Sequence, residues 1–176
     1  LFRSNSFFGG GAGYATTTGN NNAFFGLNAA QGNTTGNYNT ALGASTLSQN
    51  TTASNNTAVG YQAGYSNTTG GVDAFGLGSL YSNTTGSANA AFGYYALHAN
   101  TTANFNTAIG VYALQSNTTA SYNTAVGYKS LYTNSTGQLN TAVGYRALLS
   151  NTTGGNNTAI GLDSVLSNTT GDNNTG

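Results

Sequence analysis

The chain has 176 residues, with three basic residues, three acidic residues and one histidine, so its formal net charge is zero and only 3% of its side chains are charged. This share is far below the roughly one quarter that is usual in soluble domains. It excludes both the high-charge composition of disordered chains and the basic surface of a nucleic-acid-binding domain. The chain has no Cys, which excludes disulfides and thiolate metal sites.

A glycine recurs every 17 residues along almost the whole chain. The one exception is the interval from Gly60 to Gly76, which is 16 residues long. A short fixed period is the signature of a solenoid, in which one coil stacks on the next. After Gly9, the repeat glycines are Gly26, Gly43, Gly60, Gly76, Gly93, Gly110, Gly127, Gly144 and Gly161.

The positions of the repeat are numbered here from the Asn that opens the motif Asn-Thr-Ala-Val-Gly. Position 4 is always apolar, position 6 is mostly large and apolar, position 8 is small, and positions 12 to 15 read Asn-Thr-Thr-Gly or a close variant. The frequent Gly, Asn and Thr disfavour helix. The segment Thr-Ala-Val-Gly-Tyr predicts a strand with positions 2, 4 and 6 on one face. Asn-Thr-Thr-Gly is typical of a turn, because Asn and Gly tolerate positive φ.

We therefore predict an all-β fold, a parallel β-solenoid of about ten 17-residue coils, as a single domain over residues 1–176. Each coil is expected to hold a short strand, a bend, a second short segment around Leu and a turn. On a strand spacing of about 4.7–4.9 Å, ten coils make a rod about 50 Å long. The repeat glycine is expected at a point where a side chain would collide with a wall of the coil or with an adjacent chain.

The predicted core consists of two stacked columns, at positions 4 and 9. Because one or two large side chains per coil make a thin core, we expect several chains to associate. The predicted core residues are Leu42, Val59, Phe75, Phe92, Ile109, Val126, Val143 and Ile160 at position 4, and Leu80, Leu97, Leu114, Leu131 and Leu148 at position 9.

Three places depart from the repeat. In the first two coils Phe7-Phe8 and Phe24-Phe25 replace Ala-Val, which indicates either an end cover or subunit contact, or sequence drift. The short coil lacks one residue before Asp73, and we place the deletion in the turn, because in a strand it would exchange the two faces. The chain starts at Leu1, contains no Met and stops in the middle of a repeat, so we interpret it as a segment of a longer chain or filament.

The Asn-Thr-Thr turn also matches the N-glycosylation sequon. Sugars there would coat one edge of the rod; alternatively, Asn and Thr serve as turn formers whose stacked side chains form hydrogen-bonded ladders. Asn55, Asn156 and Asn173 give further matches. The candidate acceptors in the repeated turn are Asn33, Asn50, Asn67, Asn83, Asn100, Asn117, Asn134, Asn151 and Asn168.

No catalytic, cofactor-binding or metal-binding set can be assembled from the titratable residues. The carboxylates Asp73, Asp163 and Asp172 fall at positions 2, 7 and 16 and do not converge, although general acid–base catalysis needs two such groups on one substrate. His98 has no evident partner and is expected to be a solvated loop side chain. We therefore predict that the chain is not an enzyme and needs no cofactor.

Two columns of the repeat offer binding alternatives. Tyr61, Tyr94, Tyr128 and Tyr145 at position 6 would either stack on sugar rings or serve packing and subunit contact. The Thr or Ser residues at positions 13 and 14 suggest an ice-binding array. Against that, adjacent residues on a strand point to opposite faces, and these positions fall in a predicted turn.

The motif Asn-Thr-Ala-Val-Gly-Tyr at 56–61, 123–128 and 140–145 resembles the head repeats of trimeric autotransporter adhesins. It is still more similar to the Asn-Thr-Ala-Val-Gly-Tyr-x-Ala-Leu repeats of bacterial surface proteins and phage tail fibres. The adhesin resemblance implies a left-handed parallel β-roll packed as a trimer. The coil length and the additional Asn-Thr-Thr-Gly turn depart from that pattern.

These observations predict a structural segment of an extracellular fibre, filament or adhesin, at a cell surface or in a virion fibre, which assembles with copies of itself through stacked coils. Open coil ends, with unpaired backbone groups, would allow head-to-tail stacking. The alternative is a binding module, an adhesin head for glycans or a host surface, or an ice-binding protein. No nucleic-acid partner is expected, and no apolar run approaches the roughly 18 residues of a membrane span.

Overall fold

The computed structural model describes residues 4–176, and its regular structure is one short strand in each repeat. The strands are numbered in chain order. They are β1 (Ser6–Phe8), β2 (Ala23–Phe25), β3 (Thr40–Leu42), β4 (Thr57–Val59), β5 (Val72–Phe75), β6 (Asn89–Phe92), β7 (Thr107–Ile109), β8 (Thr124–Val126), β9 (Thr141–Val143) and β10 (Thr158–Ile160).

All ten strands form one parallel sheet in which each strand pairs with the next strand of the chain. The register joins equivalent repeat positions, for example Thr124 with Thr141 and Ala125 with Ala142. The chain is therefore a β-solenoid with one coil per repeat, as the period predicts. Each coil holds a single strand, however: the predicted second segment around Leu is a succession of turns.

The short coil keeps this register. Thr57 pairs with Asp73, which is 16 residues later, and Ala58 pairs with Ala74. Position 17 is therefore the missing residue, and it lies in the turn before the strand. The predicted location of the deletion is confirmed, and the two faces of the sheet are not exchanged.

The predicted facing of the strands is wrong. Position 3 points inward, and Ala108, Ala125 and Ala142 are fully buried. Position 4 points outward because neighbouring strand residues face opposite sides. The column assigned to the core is exposed or half-buried: Leu42, Phe92, Ile109 and Ile160 are exposed, and Val59, Phe75, Val126 and Val143 are half-buried.

The interior is narrow and is filled mainly by the position 9 leucines. Leu80, Leu97, Leu114, Leu131 and Leu148 are all fully buried, as the sequence predicts. Small residues at positions 3 and 8 leave room for them. The second coil fills the same space differently: Phe24 occupies position 3 and is fully buried, and Ala30 replaces Leu at position 9. Large and small side chains thus exchange places, which keeps the packed volume similar.

The repeat glycine at position 5 is required for two reasons. At Gly110 the φ angle is 134°, a conformation that L side chains rarely adopt. A β-carbon placed there would also lie 2.5 Å from the carbonyl oxygen of Gly127 in the next coil. The glycine column therefore marks the place where coil backbones stack directly. A side chain there would collide, as predicted, but with the next coil of the same chain and not with an adjacent chain.

Main-chain hydrogen bonds run from each coil in both directions. Gly127 donates to the Ile109 carbonyl of the preceding coil (2.8 Å), whereas Leu131 donates to the Ala147 carbonyl of the following coil (3.0 Å). This alternation accompanies positive φ at positions 7, 9 and 17, as in Lys129 (53°) and Leu131 (49°). A left-handed conformation costs roughly 1–2 kcal/mol for a residue with a β-carbon. Bonding to both neighbouring coils offsets that cost.

Candidate interaction surfaces

The position 12 asparagines form a continuous hydrogen-bonded ladder inside the rod. The Asn117 side-chain amide donates to the Asn100 side-chain oxygen (3.0 Å) and to the Ala120 carbonyl of its own coil (2.9 Å). Asn134 repeats both bonds one coil later, to Asn117 and Gly137. Each buried amide thus has its hydrogen-bond partners, which is the condition for burying a polar group without a large penalty.

This ladder contradicts glycosylation at the repeated turn. Nδ2 is the atom to which a sugar would be attached, and here it donates two hydrogen bonds in the interior. Eight of the nine candidate acceptors, from Asn33 to Asn151, are fully buried, and Asn168 is half-buried. Only the three further sequons, at position 17, carry an exposed asparagine: Asn55, Asn156 and Asn173.

A second asparagine ladder runs along position 1 and closes each coil. The Asn123 side chain donates across the interior to the Gly137 carbonyl (2.9 Å), and its oxygen accepts a hydrogen bond from the Asn140 backbone N–H (2.9 Å). The column is interrupted by Val72, which is buried and opens the coil after the short one. Both ladders are structural and, within residues 4–176, leave no asparagine amide of the core free for a ligand.

The two threonine columns differ in exposure. At position 13, the Thr101 hydroxyl donates to the Thr118 carbonyl of the next coil (3.1 Å), and Thr118 donates in turn to Ser135 (3.2 Å). At position 14, Thr102 and Thr119 are exposed. The surface therefore presents a single file of threonines, because the neighbouring hydroxyls are already used within the rod.

The outward face of the sheet exposes many large apolar side chains. It carries the position 4 column and, just beyond the glycine column, the position 6 column. We call these two columns together the outer apolar face. Exposed members at position 6 include Leu27 at 61%, Tyr61 at 52% and Leu162 at 75%. Contiguous apolar surface of this extent usually marks an interaction site.

Three tyrosines from two neighbouring coils surround Lys129 beside that face. The Lys129 ammonium lies 5.8 Å from the Tyr112 ring centroid, 5.3 Å from that of Tyr128 and 5.2 Å from that of Tyr132. These distances fall within the range of cation–π attraction. Further along, Tyr128 and Tyr145 stack with centroids 5.2 Å apart and an interplanar angle of 18°.

The stacking determines how the position 6 tyrosines can act. Because the Tyr128 and Tyr145 rings lie face to face, each ring covers one face of the other and closes that face to a sugar ring. Tyr94 packs edge-on against Tyr95 and Tyr112. Tyr94 also raises the pKa of Tyr95, chiefly through the unfavourable proximity of the two phenolate charges. The geometry thus favours packing over sugar stacking for this column.

His98 has stacking and hydrogen-bond partners in the neighbouring coil. Its ring stacks on Tyr81, with centroids 5.1 Å apart, and Tyr81 in turn stacks on Tyr65. Its Nδ1 atom lies 2.9 Å from the Gly78 carbonyl oxygen. The side chain is half-buried, so the expected solvated loop histidine is wrong. Tyr65, Tyr81 and His98 occupy position 10 of three consecutive coils, so aligning the coils predicts the stack.

One ion pair joins two adjacent coils at position 7. Arg146 bonds both carboxylate oxygens of Asp163, at 2.7 and 2.5 Å. The side-chain hydrogen bond from Arg146 lowers the pKa of Asp163. The two residues are 17 positions apart in the sequence, so aligning consecutive coils predicts this pair.

The remaining carboxylates of the described residues offer no metal site. Asp172 accepts a hydrogen bond from the Gly155 backbone N–H (2.7 Å), and within residues 4–176 no three acidic, His or Cys side chains gather around a metal position.

The deletion in the short coil leaves a notch in the surface. Its volume is about 330 Å³, and its lining includes Asn55, Gly71, Asp73 and Ala88. A β-carbon on Gly71 would meet nothing within 4 Å. The notch is open to solvent and offers one carboxylate, so it supplies shape without a converging set of functional groups.

No protein-family model, no curated protein and no solved structure matches this chain. Over the described part of the chain, there is no helix long and apolar enough to cross a membrane. What can be said of function therefore depends on the coil interior and its surfaces.

Proposed function

We propose that the chain is a non-enzymatic structural segment of an extracellular fibre, filament or adhesin, and that its role is to form a stiff rod that associates with other copies. The observation that carries this proposal is the set of ladders that run from coil to coil. The Asn100–Asn117 bond is one step of such a ladder, and the Gly110–Gly127 backbone contact is one step of another.

Stiffness follows from the number of bonds that must break together. Bending the rod at one coil opens strand pairing, a position 12 amide bond and a position 13 hydroxyl bond at the same level, as at Thr107, Asn117 and Thr118. Each such bond contributes about 1 kcal/mol net, and more when a buried partner is left unpaired. The repeat thus resists local deformation at every level.

The same ladders support a role that depends on length. Because every coil bonds to its neighbours in the same way, coils can be added without new contacts, and stability grows with their number. The resemblance of the Asn-Thr-Ala-Val-Gly-Tyr motif to fibre and adhesin repeats adds the extracellular setting to the proposal.

The proposal is tested by locating the native protein and by measuring its mechanics. Antibodies against the rod should decorate surface fibres or virion fibres in electron micrographs of the source material; labelling confined to the cell interior would contradict the role. In single-molecule pulling, we expect high resistance with coil-by-coil extension. Replacing Asn100, Asn117 and Asn134 with Ala should lower the unfolding force, whereas Thr102, Thr119 and Thr136 replaced with Ala should not.

A further inference from the structure

We propose that the outer apolar face packs against the same face of a second copy of this chain, with the two rods antiparallel. The inference rests on the proposed self-association and names the surface and the arrangement. It starts from the fact that the position 4 residues, which are the largest apolar side chains of most strands, point away from the narrow interior. Ile109 and Ile160 are 44% and 65% exposed.

The size of the face suits a partner of the same length. Ten strands at about 4.7–4.9 Å spacing make it about 45 Å long. Positions 4 and 6 are two residues apart, at most about 7 Å, so with the side chains the face is on the order of 600 Å². Two such faces bury about 1,200 Å² in total, which reaches the lower end of specific interfaces.

Charge and composition favour a second copy over a charged partner. The formal net charge of the chain is zero, and the two columns at positions 4 and 6 contain no charged residue. Like copies therefore approach without net repulsion, and the two columns themselves bring no charged side chain into the contact. Identical columns with identical spacing also allow the side chains of one copy to fit between those of the other at every coil.

Side-chain size distinguishes the two possible directions. Position 6 is Gly10 in the first coil and Ala44 in the third, so the face is thin there. In a parallel pair each thin coil faces itself and leaves a gap. In an antiparallel pair Ala44 faces Tyr128, Gly10 faces Leu162, and the gap between the sheets stays more even. Even packing without voids is the more stable arrangement.

The first experiment measures the mass of the intact chain in solution as a function of concentration. We expect a dimer at micromolar concentrations for the native sequence. A double substitution Ile109→Lys with Val126→Lys should weaken dimerisation about 100-fold, because buried unpaired charge is strongly unfavourable. The matched control, Thr119→Lys with Thr136→Lys, changes exposed residues of the same two coils at position 14 and should leave the dimer intact.

A native chain that stays monomeric up to about 100 µM overturns the proposal, as does a dimer that the outer-face lysines leave unchanged. The circular dichroism spectrum and melting temperature of each variant show whether the rod itself has formed. If the native chain is a folded monomer, only the proposed lateral pairing is contradicted. If the native chain lacks a β-rich spectrum, the proposed structural role is contradicted as well.

Direction is tested by cross-linking, which the absence of native cysteines makes simple. Leu42→Cys and Val126→Cys proteins are prepared separately and treated with a short thiol cross-linker. In the antiparallel pair the two positions face each other, so the mixture should cross-link and each protein alone should not. Efficient cross-linking of the Leu42→Cys protein with itself overturns the antiparallel arrangement. Thr52→Cys, on the position 14 column, serves as the background control.

Discussion

Asn117 and Asn100 meet through a 3.0 Å side-chain hydrogen bond in the buried interior, one coil apart, and this contact is repeated along the rod. Replacing Asn117 with Ala leaves the Asn100 side-chain oxygen without its donor, removes the bond to Ala120, and takes from Asn134 one of its two acceptors. Leaving a buried polar group unpaired costs about 1–3 kcal/mol beyond the lost bonds, so we expect the free energy of unfolding to fall by about 3 kcal/mol.

Urea denaturation measures this change. Thr119→Ala is the control, because Thr119 lies two residues later in the same coil and is exposed; it should change stability by less than about 0.5 kcal/mol. Equal effects of the two substitutions would show that the asparagine ladder is not a main source of stability.

The inward and outward columns predict opposite sensitivities within one coil. Leu114→Ala removes a fully buried side chain and should cost about 3 kcal/mol, the usual value for such a cavity. Ile109→Ala removes a side chain that is 44% exposed and should cost less than about 1.5 kcal/mol. Thermal unfolding at low protein concentration, where association does not contribute, checks both. A larger loss of stability for Ile109→Ala than for Leu114→Ala would show that position 4 points into the interior, as the sequence alone suggests.

The sequence predicts the coil but not the direction of its side chains, for a physical reason. Strand β7 has three residues, so its alternation contains one inward residue between two outward ones. Hydrophobicity alone then assigns the larger Ile109 to the interior and the smaller Ala108 to the surface. The structure reverses this because the interior of a 17-residue coil is narrow, and Leu114 already fills it.

The asparagines of the turn show the same limit. Asn-Thr-Thr is compatible both with an exposed turn and with a buried ladder, and only the path of the next coil decides between them. Asn100 has its partner 17 residues away, at Asn117, so no local pattern reveals the bond. The period itself holds the information: the Arg146–Asp163 pair and the Tyr81–His98 stack could both be predicted by aligning consecutive coils.

Two glycines of the same column separate steric collision from backbone conformation. Gly110→Ala would place a β-carbon 2.5 Å from the Gly127 carbonyl oxygen, whereas a β-carbon on Gly161 would meet nothing within 4 Å. Both have similar φ angles, 134° and 128°. We expect both variants to be less stable, with Gly110→Ala worse by at least about 2 kcal/mol, since the coils must move apart. Equal losses, measured by denaturation, would mean that conformation alone explains the column.

Position 17 offers a stabilising substitution. Leu139 has a φ of 60° and is 54% exposed, so it bears the cost of a left-handed conformation without much burial in return. Asn adopts this conformation more readily and already occupies position 17 at Asn55 and Asn156. Leu139→Asn should therefore raise the free energy of unfolding by about 0.5–1 kcal/mol. Leu139→Val should lower it, because a β-branched residue tolerates positive φ poorly. A calorimetric melting curve of each variant decides the order.

The Arg146–Asp163 pair predicts a pH-dependent contribution to stability. Arg146 lowers the pKa of Asp163 below its ordinary value of 3.8, so the unfolded chain binds this proton more readily than the folded chain. The pair therefore stabilises the rod fully at pH values above the ordinary pKa, and the contribution is lost as the pH falls through the lower pKa of the folded state.

Asp163→Asn should lower the melting temperature slightly at about pH 7, and the difference from the native chain should vanish in strong acid. It should also shrink in high salt, since both side chains are about one third exposed. Repeating the comparison in an Arg146→Gln background provides the control, because the pH-dependent difference should disappear there; if it persists, a group other than Arg146 is responsible for the low pKa of Asp163.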